Sequence, residues 1–514
     1  EDLIFKFILH SMVPLRVVED PYFINLINNL RGEVISRRTL CRRVDAFFDT
    51  QILKIKEFLK MAKFIFGPGK IEQNLRRKSV AIACRRFKND HTFDRIAKLL
   101  SDINSEFGLN HQKVIATVTD NASSFVKAFE FGVNTQNINI VEEDCTGCEG
   151  TDETETDTGE ESEDEDSDHV ELPNHMRCCA HTICLCVSAD VEKLLKSNKE
   201  LSKIHFNTIR KCNILWRQNR PKTSEIILNL LGHTLSKPGE TRWNSLNDSL
   251  KQILKIKDKN AALFKALNIK DPLKEDEYIY LQEYVDCTTP FAEALDVMQG
   301  EHYTYYGTAL PCLLSLKKKM QRLSEREWVF CSPLPEALLL SLNTRFKKFF
   351  EFTSAESEIA VVAALSNPRF KNKWLSCVLT EWHDRLLRLF KEAVQVEVTL
   401  TKNSANKNGL QQFNGIESFN DFFDFGSPNQ TLSSPTADIQ IVYFFNDSDE
   451  NLLMLERYPE IKKVFIKFNT PLPSAAPVER LFSYASMTNK PKSNKLSDKT
   501  FEKRVLLKAN MQLG

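Results

Sequence analysis

The sequence predicts a predominantly helical α/β protein, and three observations lead to that class. Residues 76–119 alternate strand, helix and strand patterns, residues 190–396 are dominated by helical periodicity, and strong patterning returns between Ile439 and Asn510. No apolar run approaches the roughly 18 residues that a membrane span needs, so the chain is expected to be soluble, with no membrane partner.

The N-terminal region, residues 1–63, reads as helices in "LINNLRGEVISRRTLCRRVDAFFDTQILKIKEFLKMAK", broken near Gly32 and capped again near Ser36. The α/β unit, residues 64–190, follows. "RRKSVAIACRRF", Arg76 to Phe87, reads as a strand and "HTFDRIAKLLSDINSEFGL" as an amphipathic helix. In "KVIATVTDNASSFVKAF", Val114, Ile115, Thr117, Val118 and Thr119 suit a largely buried strand, whereas Ala122, Phe125, Val126 and Phe129 fall at helical spacing. Asp120 therefore sits at a strand end. A carboxylate there reaches the crevice where α/β sheets place ligands and metal ions. Asp120 or Asn121 would equally serve as a cap for the helix that follows.

Residues 142–168, "EEDCTGCEGTDETETDTGEESEDEDSD", hold 15 acidic residues and no Lys or Arg. With almost nothing apolar to bury, this stretch is expected to be a disordered surface loop within the α/β unit. Residues 191–396 read as an all-α domain, through "SEIILNLLGHTL", "TALPCLLSLKKKMQRL" and "EWHDRLLRLFKEAVQV". Residues 397–438, rich in Asn, Ser and Gly, read as a flexible linker. The last block, residues 439–514, returns to helices in "NLLMLERYPEIKKVFIKFN", "VERLFSYASM" and "SDKTFEKRVLLKAN", with a Pro-bounded break at "TPLPSAAP".

The formal net charge is zero. Without the acidic stretch the chain has 54 acidic against 69 basic residues, a surplus of 15 that suits a polyanionic partner. Thirteen Cys without a framework fit free thiols in a reducing compartment. The chain opens on "EDLIFKFILH", with neither an initiator Met nor a cleavage site, so no secretory leader is expected and the sequence reads as a fragment, a processed chain or an incomplete one.

Four short patterns carry candidate chemistry. The first is Asp120 in "TDN". The second is Cys178-x-x-His181 in "HMRCCAHTICLCV", which is half of a zinc site or else a buried thiol beside a hydrogen-bonded core histidine; Cys145 and Cys148 in "CTGC" could supply the other half, although they lie in the acidic stretch. The third is Arg242-Trp243 in "GETRWNSL", a cation beside an aromatic plane that would stack a splayed base or simply pack. The fourth is Glu479 after Pro477, a carboxylate at a helix start, where the dipole favours negative charge in any case.

Taken in order, Asp120, Cys178-x-x-His181, Arg242-Trp243, a long helical stretch and "SAAPVERLFSYASM" resemble the hAT superfamily of DNA transposases, in particular its BED-finger-associated branch and the host proteins domesticated from it. The resemblance covers nearly the whole chain, including "SMVPLRVVEDPYF", "ACRRFKNDHTFDRIA", "SNPRFK" (Ser366 to Lys371) and the C-terminal "KSNKLSDKTFEKRVLLKAN". It implies an RNase H-like core interrupted by a large all-α insertion, a nuclear location, a BED-type zinc finger ahead of residue 1 and self-association through residues 439–514.

The resemblance further implies a metal centre of two Asp and one Glu, with paired Mg²⁺ activating the nucleophile and stabilising the leaving oxygen. By motif, Asp120 would be the second Asp, Glu479 the Glu, Trp243 the aromatic that stacks on a flipped base, and Cys178 and His181 the pair that supports the site. The first Asp is missing: "KFIFGPGKIEQNLRRK", Lys63 to Lys78, contains none and looks too short for two strands and a hairpin. The expectation is therefore a core lacking its first strands, with the edge near Val80 exposed, and a transposase-derived protein that has lost catalysis. A working, Mg²⁺-dependent DNA transposase is the alternative.

Overall fold

The computed structural model describes residues 2–30, 34–61, 65–66, 69–72, 74–87, 90–110, 113–131, 172–218, 220–239, 243–300, 304–407, 437–489 and 496–511. The protein is predominantly helical, with five short strands among the described residues: β1 (Ile65–Phe66), β2 (Gly69–Ile71), β3 (Arg77–Ser79), β4 (Val114–Thr119) and β5 (His175–Arg177). Their order in the sheet is β3-β2-β1-β4-β5. β1 and β4 run parallel, with Ile65 opposite Val114 and Phe66 opposite Ala116. β2 and β3 run antiparallel, with Gly69 opposite Ser79 and Ile71 opposite Arg77.

These strands correct the expectation that the interval from Lys63 to Lys78 is too short for the opening of a sheet. The hairpin fits because its turn is compressed. Leu75 takes a left-handed conformation (φ 62°), the Glu72 N–H donates to the Arg76 carbonyl (2.9 Å), and the Asn74 side chain accepts from the Arg76 N–H (3.0 Å). A non-glycine residue there costs about 1 kcal/mol or more. Burial of the Leu75 side chain offsets it.

The expected strand from Arg76 to Phe87 is realised only over Arg77–Ser79. Beyond it the backbone finds other partners. Asn510 accepts from the Ala81 N–H (2.8 Å) and donates to the Ala81 carbonyl (2.7 Å), and Glu502 accepts from the Cys84 N–H (3.1 Å). The C-terminal helix Asp498–Ala509 thus supplies, through side chains, what a neighbouring strand would have supplied. The edge near Val80, expected to be exposed, is covered, and Val80 itself is buried.

Contacts divide the chain into two compact units, the first comprising residues 1–68, 80–175 and 483–514, the second 69–79 and 176–482. In the first, Ser36 caps the Arg37–Lys60 helix by accepting from the Thr39 N–H, as its sequence predicts. The N-terminal helix Asp2–His10 packs through Ile4, Ile8 and Leu9 onto Leu40, Val44 and Leu507. Arg504 donates to the Met12 and Val13 carbonyls (2.9 Å each). A second cluster joins Ile55, Leu59, Val80, Phe107 and Val114, and a third joins Ile96 and Ala97 of the Phe93–Glu106 helix to Ala128 and Leu172.

The second unit is built around the Glu275–Gln299 helix, whose buried residues cover more than half of its circumference and leave a stripe through Gln282, Glu293 and Val297 exposed. Glu283 on this helix accepts three successive backbone N–H bonds, from Val329 (2.7 Å), Phe330 (2.9 Å) and Cys331 (2.9 Å). "SNPRFK" is also structural: Lys371, buried and left-handed (φ 48°), donates to the Asp447 and Asp449 carbonyls. The Thr380–Lys407 helix runs into the segment read as linker, whose residues 408–436 lie outside the described residues, as does the acidic segment 142–168. Among the described residues no helix is long and apolar enough to cross a membrane.

The second unit also buries an ion pair. The Lys211 side chain, 2% exposed, meets Glu277 and Asp271, each at 2.9 Å. Removing one member strands the other in a medium of low polarity. Lys211→Met is expected to lower unfolding free energy by about 3–5 kcal/mol in urea titration, and Lys211→Met with Glu277→Gln to recover part of that loss. Equal stability of wild type and Lys211→Met would contradict the assignment.

Candidate functional site

β4 carries Asp120 to the position the sequence predicts, directly beyond Thr119. The carboxylate is exposed and accepts from the Ala122 N–H (3.2 Å), so it caps the turn into the Ser123–Phe131 helix. Thr119 fixes this junction from the other side. Its hydroxyl donates to the Asp120 carbonyl (2.8 Å) and meets His175 Nε2 (2.8 Å), while the His175 ring stacks on Phe129 with centroids 4.6 Å apart.

In the second unit, Cys178 is buried and caps the Cys179–Val187 helix, its Sγ accepting from the His181 N–H (3.3 Å). The C-x-x-H spacing is therefore an N-cap and its N3 residue: the backbone of His181 meets the sulfur, and its side chain lies exposed. The same sulfur accepts from the Ala475 N–H (3.2 Å), and the Cys179 N–H donates to the Pro473 carbonyl (2.9 Å). Burial pushes the Cys178 thiol up, and the Glu479 charge adds to that shift. Cys184, on the same helix, is pushed up to about 12, by burial first and by Cys178 and Glu479 after it.

Glu479 lies exposed in the first turn of the Ala476–Thr488 helix. The segment leading to it is held at both ends, by Cys178 near Ala475 and by Arg77 at the preceding helix. The buried Arg77 guanidinium donates to the carbonyls of Thr470, Asn469 (2.7 Å) and Pro471 (3.3 Å), at the end of the Pro459–Asn469 helix. Cation and helix C-terminus attract, and burial strengthens the attraction. Tyr305 lies against the guanidinium with its ring centroid 5.7 Å away and donates to the Leu75 carbonyl (3.1 Å). Asn469, fully buried, accepts from the Gly307 N–H (2.9 Å) and donates to Ala363 (3.0 Å) and Ser366 (3.1 Å). Gly307 has to be glycine, since a Cβ there would stand 2.3 Å from the Ala363 carbonyl oxygen.

Arg77 and Asn469 were not among the residues singled out from sequence. An arginine in a short strand and an asparagine at a helix end carry no spacing signal; only their burial reveals them. Trp243 is half-buried at the start of the Asn244–Lys255 helix, and Arg242, Cys145 and Cys148 lie outside the described residues. Among the described residues no three His, Cys, Asp or Glu side chains form a group that could hold a metal ion. β1 comprises Ile65 and Phe66, neither of them acidic, and the Asp120 carboxylate accepts within its own turn. These donors do not fit a paired-Mg²⁺ centre, which needs converging carboxylates.

Behind the Cys179–Val187 helix, burial raises the Glu356 carboxyl to about 7, against the hydrogen bond from the Tyr306 hydroxyl (3.2 Å) and the charge of Arg177. A carboxyl whose folded pKa exceeds its unfolded one is bound more tightly to its proton in the folded state, so stability falls as pH rises from about 4.5 to about 7. Glu356→Gln is expected to remove that fall, at most about 3 kcal/mol, from urea midpoints measured across the window. Arg77→Leu is expected to cost about 3 kcal/mol and to expose Cys178 to iodoacetamide in the native state. Unchanged Cys178 labelling would separate Arg77 from the Cys178 segment.

No protein-family model matches the chain, and no curated protein matches it.

Proposed function

We propose that this chain is a nuclear, transposase-derived protein of hAT type that has lost catalysis, self-associates through residues 439–514 and binds DNA through its basic surface, with Arg242 and Trp243 as candidate DNA contacts. The observation that carries the reading is the strand order β3-β2-β1-β4-β5, with β1 and β4 parallel and β2 and β3 antiparallel. That order supports an RNase H-like core, in which the parallel pair would carry the first and second Asp of the resembled family. One strand of that pair is followed directly by Asp120 and the other consists of Ile65 and Phe66. A metal ion positioned by an incomplete carboxylate set does not fix in-line geometry, which supports a binding role over turnover.

Self-association draws support from the helix Ala437–Asn446. It buries Ala437, Gln440 and Phe444 and leaves Ile439, Val442 and Tyr443 exposed, with Leu453 of the following turn also exposed. Apolar side chains grouped on one face are more costly in water than scattered ones, and a second copy would cover them.

In solution, light scattering at micromolar concentration is expected to give a dimer or larger, and Ile439→Glu with Val442→Glu and Tyr443→Glu a monomer. Affinity for duplex DNA is expected to fall at least about tenfold between 50 and 200 mM salt, with no Mg²⁺-dependent strand cleavage above an Asp120→Ala control. Cleavage abolished by Asp120→Ala or Glu479→Ala would instead establish an active transposase. Undetectable DNA binding at low salt would leave a protein-interaction scaffold.

A further inference from the structure

We propose that the Pro21–Asn29 helix is a second self-association surface, on which one copy of the chain pairs antiparallel with another through Tyr22, Leu26 and Leu30. The helix lies wholly within the first unit. Asp20 starts it, its carboxylate accepting from the Tyr22 N–H (2.9 Å) and the Phe23 N–H (3.1 Å). Leu30 extends it by one residue, its N–H donating to the Leu26 carbonyl (3.3 Å). Phe23 and Ile27 lean, half-buried, on the N-terminal cluster of Ile8, Leu40 and Val44, yet no residue of the helix is buried. The opposite face carries Tyr22 (86% exposed), Leu26 (57%) and Leu30 (72%), at i, i+4 and i+8, with Asn25 and Asn29 exposed beside them.

A helix on a protein surface ordinarily turns charged side chains to water. This one has none to turn: Pro21 to Leu30 contains no Asp, Glu, Lys, Arg or His. Of the flanking charges, Asp20 is used in the cap, Glu19 pairs with Arg37 (3.5 Å), and Arg31 lies outside the described residues. Three large apolar groups in a row are costly in water, and charge and spacing together select what covers them. A face without cations offers nothing to a polyanion or an acidic peptide, and one without carboxylates nothing to a basic peptide. An identical face meets it with no like-charge repulsion. The stripe is also symmetric about Leu26. In an antiparallel pair on a two-fold axis Leu26 meets its own counterpart and Tyr22 meets Leu30 in both directions, the reciprocity that an isologous contact requires. Covering the stripe removes roughly 500 Å² from each copy, about 1,000 Å² in all, the lower limit for a specific interface. The pairing is therefore weak, forming on the order of 100 µM, or where another contact already holds two chains together.

The pairing is tested apart from residues 439–514, in the full chain carrying Ile439→Glu, Val442→Glu and Tyr443→Glu. Sedimentation of that variant is expected to give monomer at about 2 µM and dimer at about 200 µM, and the dimer is expected to persist in about 1 M salt, since no charge contributes to it. Adding Leu26→Glu is expected to keep the chain monomeric at both concentrations with an unchanged urea midpoint. Register is read by oxidation and mass spectrometry of the cross-linked peptides. Leu26→Cys is expected to link to itself between copies, and Tyr22→Cys to link to Leu30→Cys in a mixture of the two variants far more than either links to itself. Monomer at about 200 µM, a dimer indifferent to Leu26→Glu, or self-linking of Tyr22→Cys equal to its linking with Leu30→Cys overturns the proposal. So does binding to phosphatidylcholine vesicles that Leu26→Glu abolishes in a chain that forms no dimer, which would assign the face to lipid.

Discussion

The second unit depends on one buried cation, the guanidinium of Arg77 set against the last carbonyls of the Pro459–Asn469 helix. A helix that ends inside a protein leaves carbonyls without partners, and each needs one. Arg77 meets the need with a charge of the right sign, from the β2–β3 hairpin more than 390 residues earlier in the chain. That choice constrains much around it: the tight turn at Leu75, the ring of Tyr305, and the seating of Asn469 against Gly307 and Ala363. The chain that then runs through Pro473 to Ala475 is received by the Cys178 cap, so the start of the Glu479 helix is fixed by a thiol and by backbone groups.

The first unit solves a different problem with a similar device. A short β3 leaves the backbone beyond Val80 with N–H and carbonyl groups that a longer sheet would pair. Asn510 returns both bonds at Ala81 from a single amide, and Glu502 takes the next free donor at Cys84. The Asp498–Ala509 helix can do this because its other face is anchored, through Leu507 in the N-terminal cluster and Arg504 on the Met12 and Val13 carbonyls. Sequence adjacent to the C-terminus thus completes structure begun near residue 80.

Periodicity made the long elements legible. The Phe93–Glu106 helix, β4, the helix after Asp120 and the helical stretch beyond residue 190 follow from spacing that repeats over several turns or alternates over a full strand. β1 and β2 were not legible, because two or three residues cannot show alternation, whereas β3 was read as the start of a longer strand; the turn between β2 and β3 relies on a left-handed leucine. The strand expected through Phe87 failed for a related reason: its apolar character comes from packing on the first-unit core, while its hydrogen bonds go to side chains that only the folded chain brings near. At the site, Cys178-x-x-His181 was visible as a pattern but ambiguous in chemistry. Capping and metal binding both ask for a polar atom at that spacing, and only the fold shows that the sulfur is buried and accepts from backbone while the imidazole lies exposed.

A cluster of carboxylates is a structural burden when no cation neutralises it, since like charges held close raise one another's pKa and repel. The framework described above carries no such burden. Its anchors are a guanidinium on carbonyls, a thiol on two N–H groups, an amide on backbone, and a lysine on the Asp447 loop, none of which requires a bound ion. A chain held in this way keeps its architecture with no acidic residue in β1, which comprises Ile65 and Phe66. Under the proposed reading, the fold would not depend on a metal centre, and that independence is the physical condition under which a binding role persists after catalysis is lost.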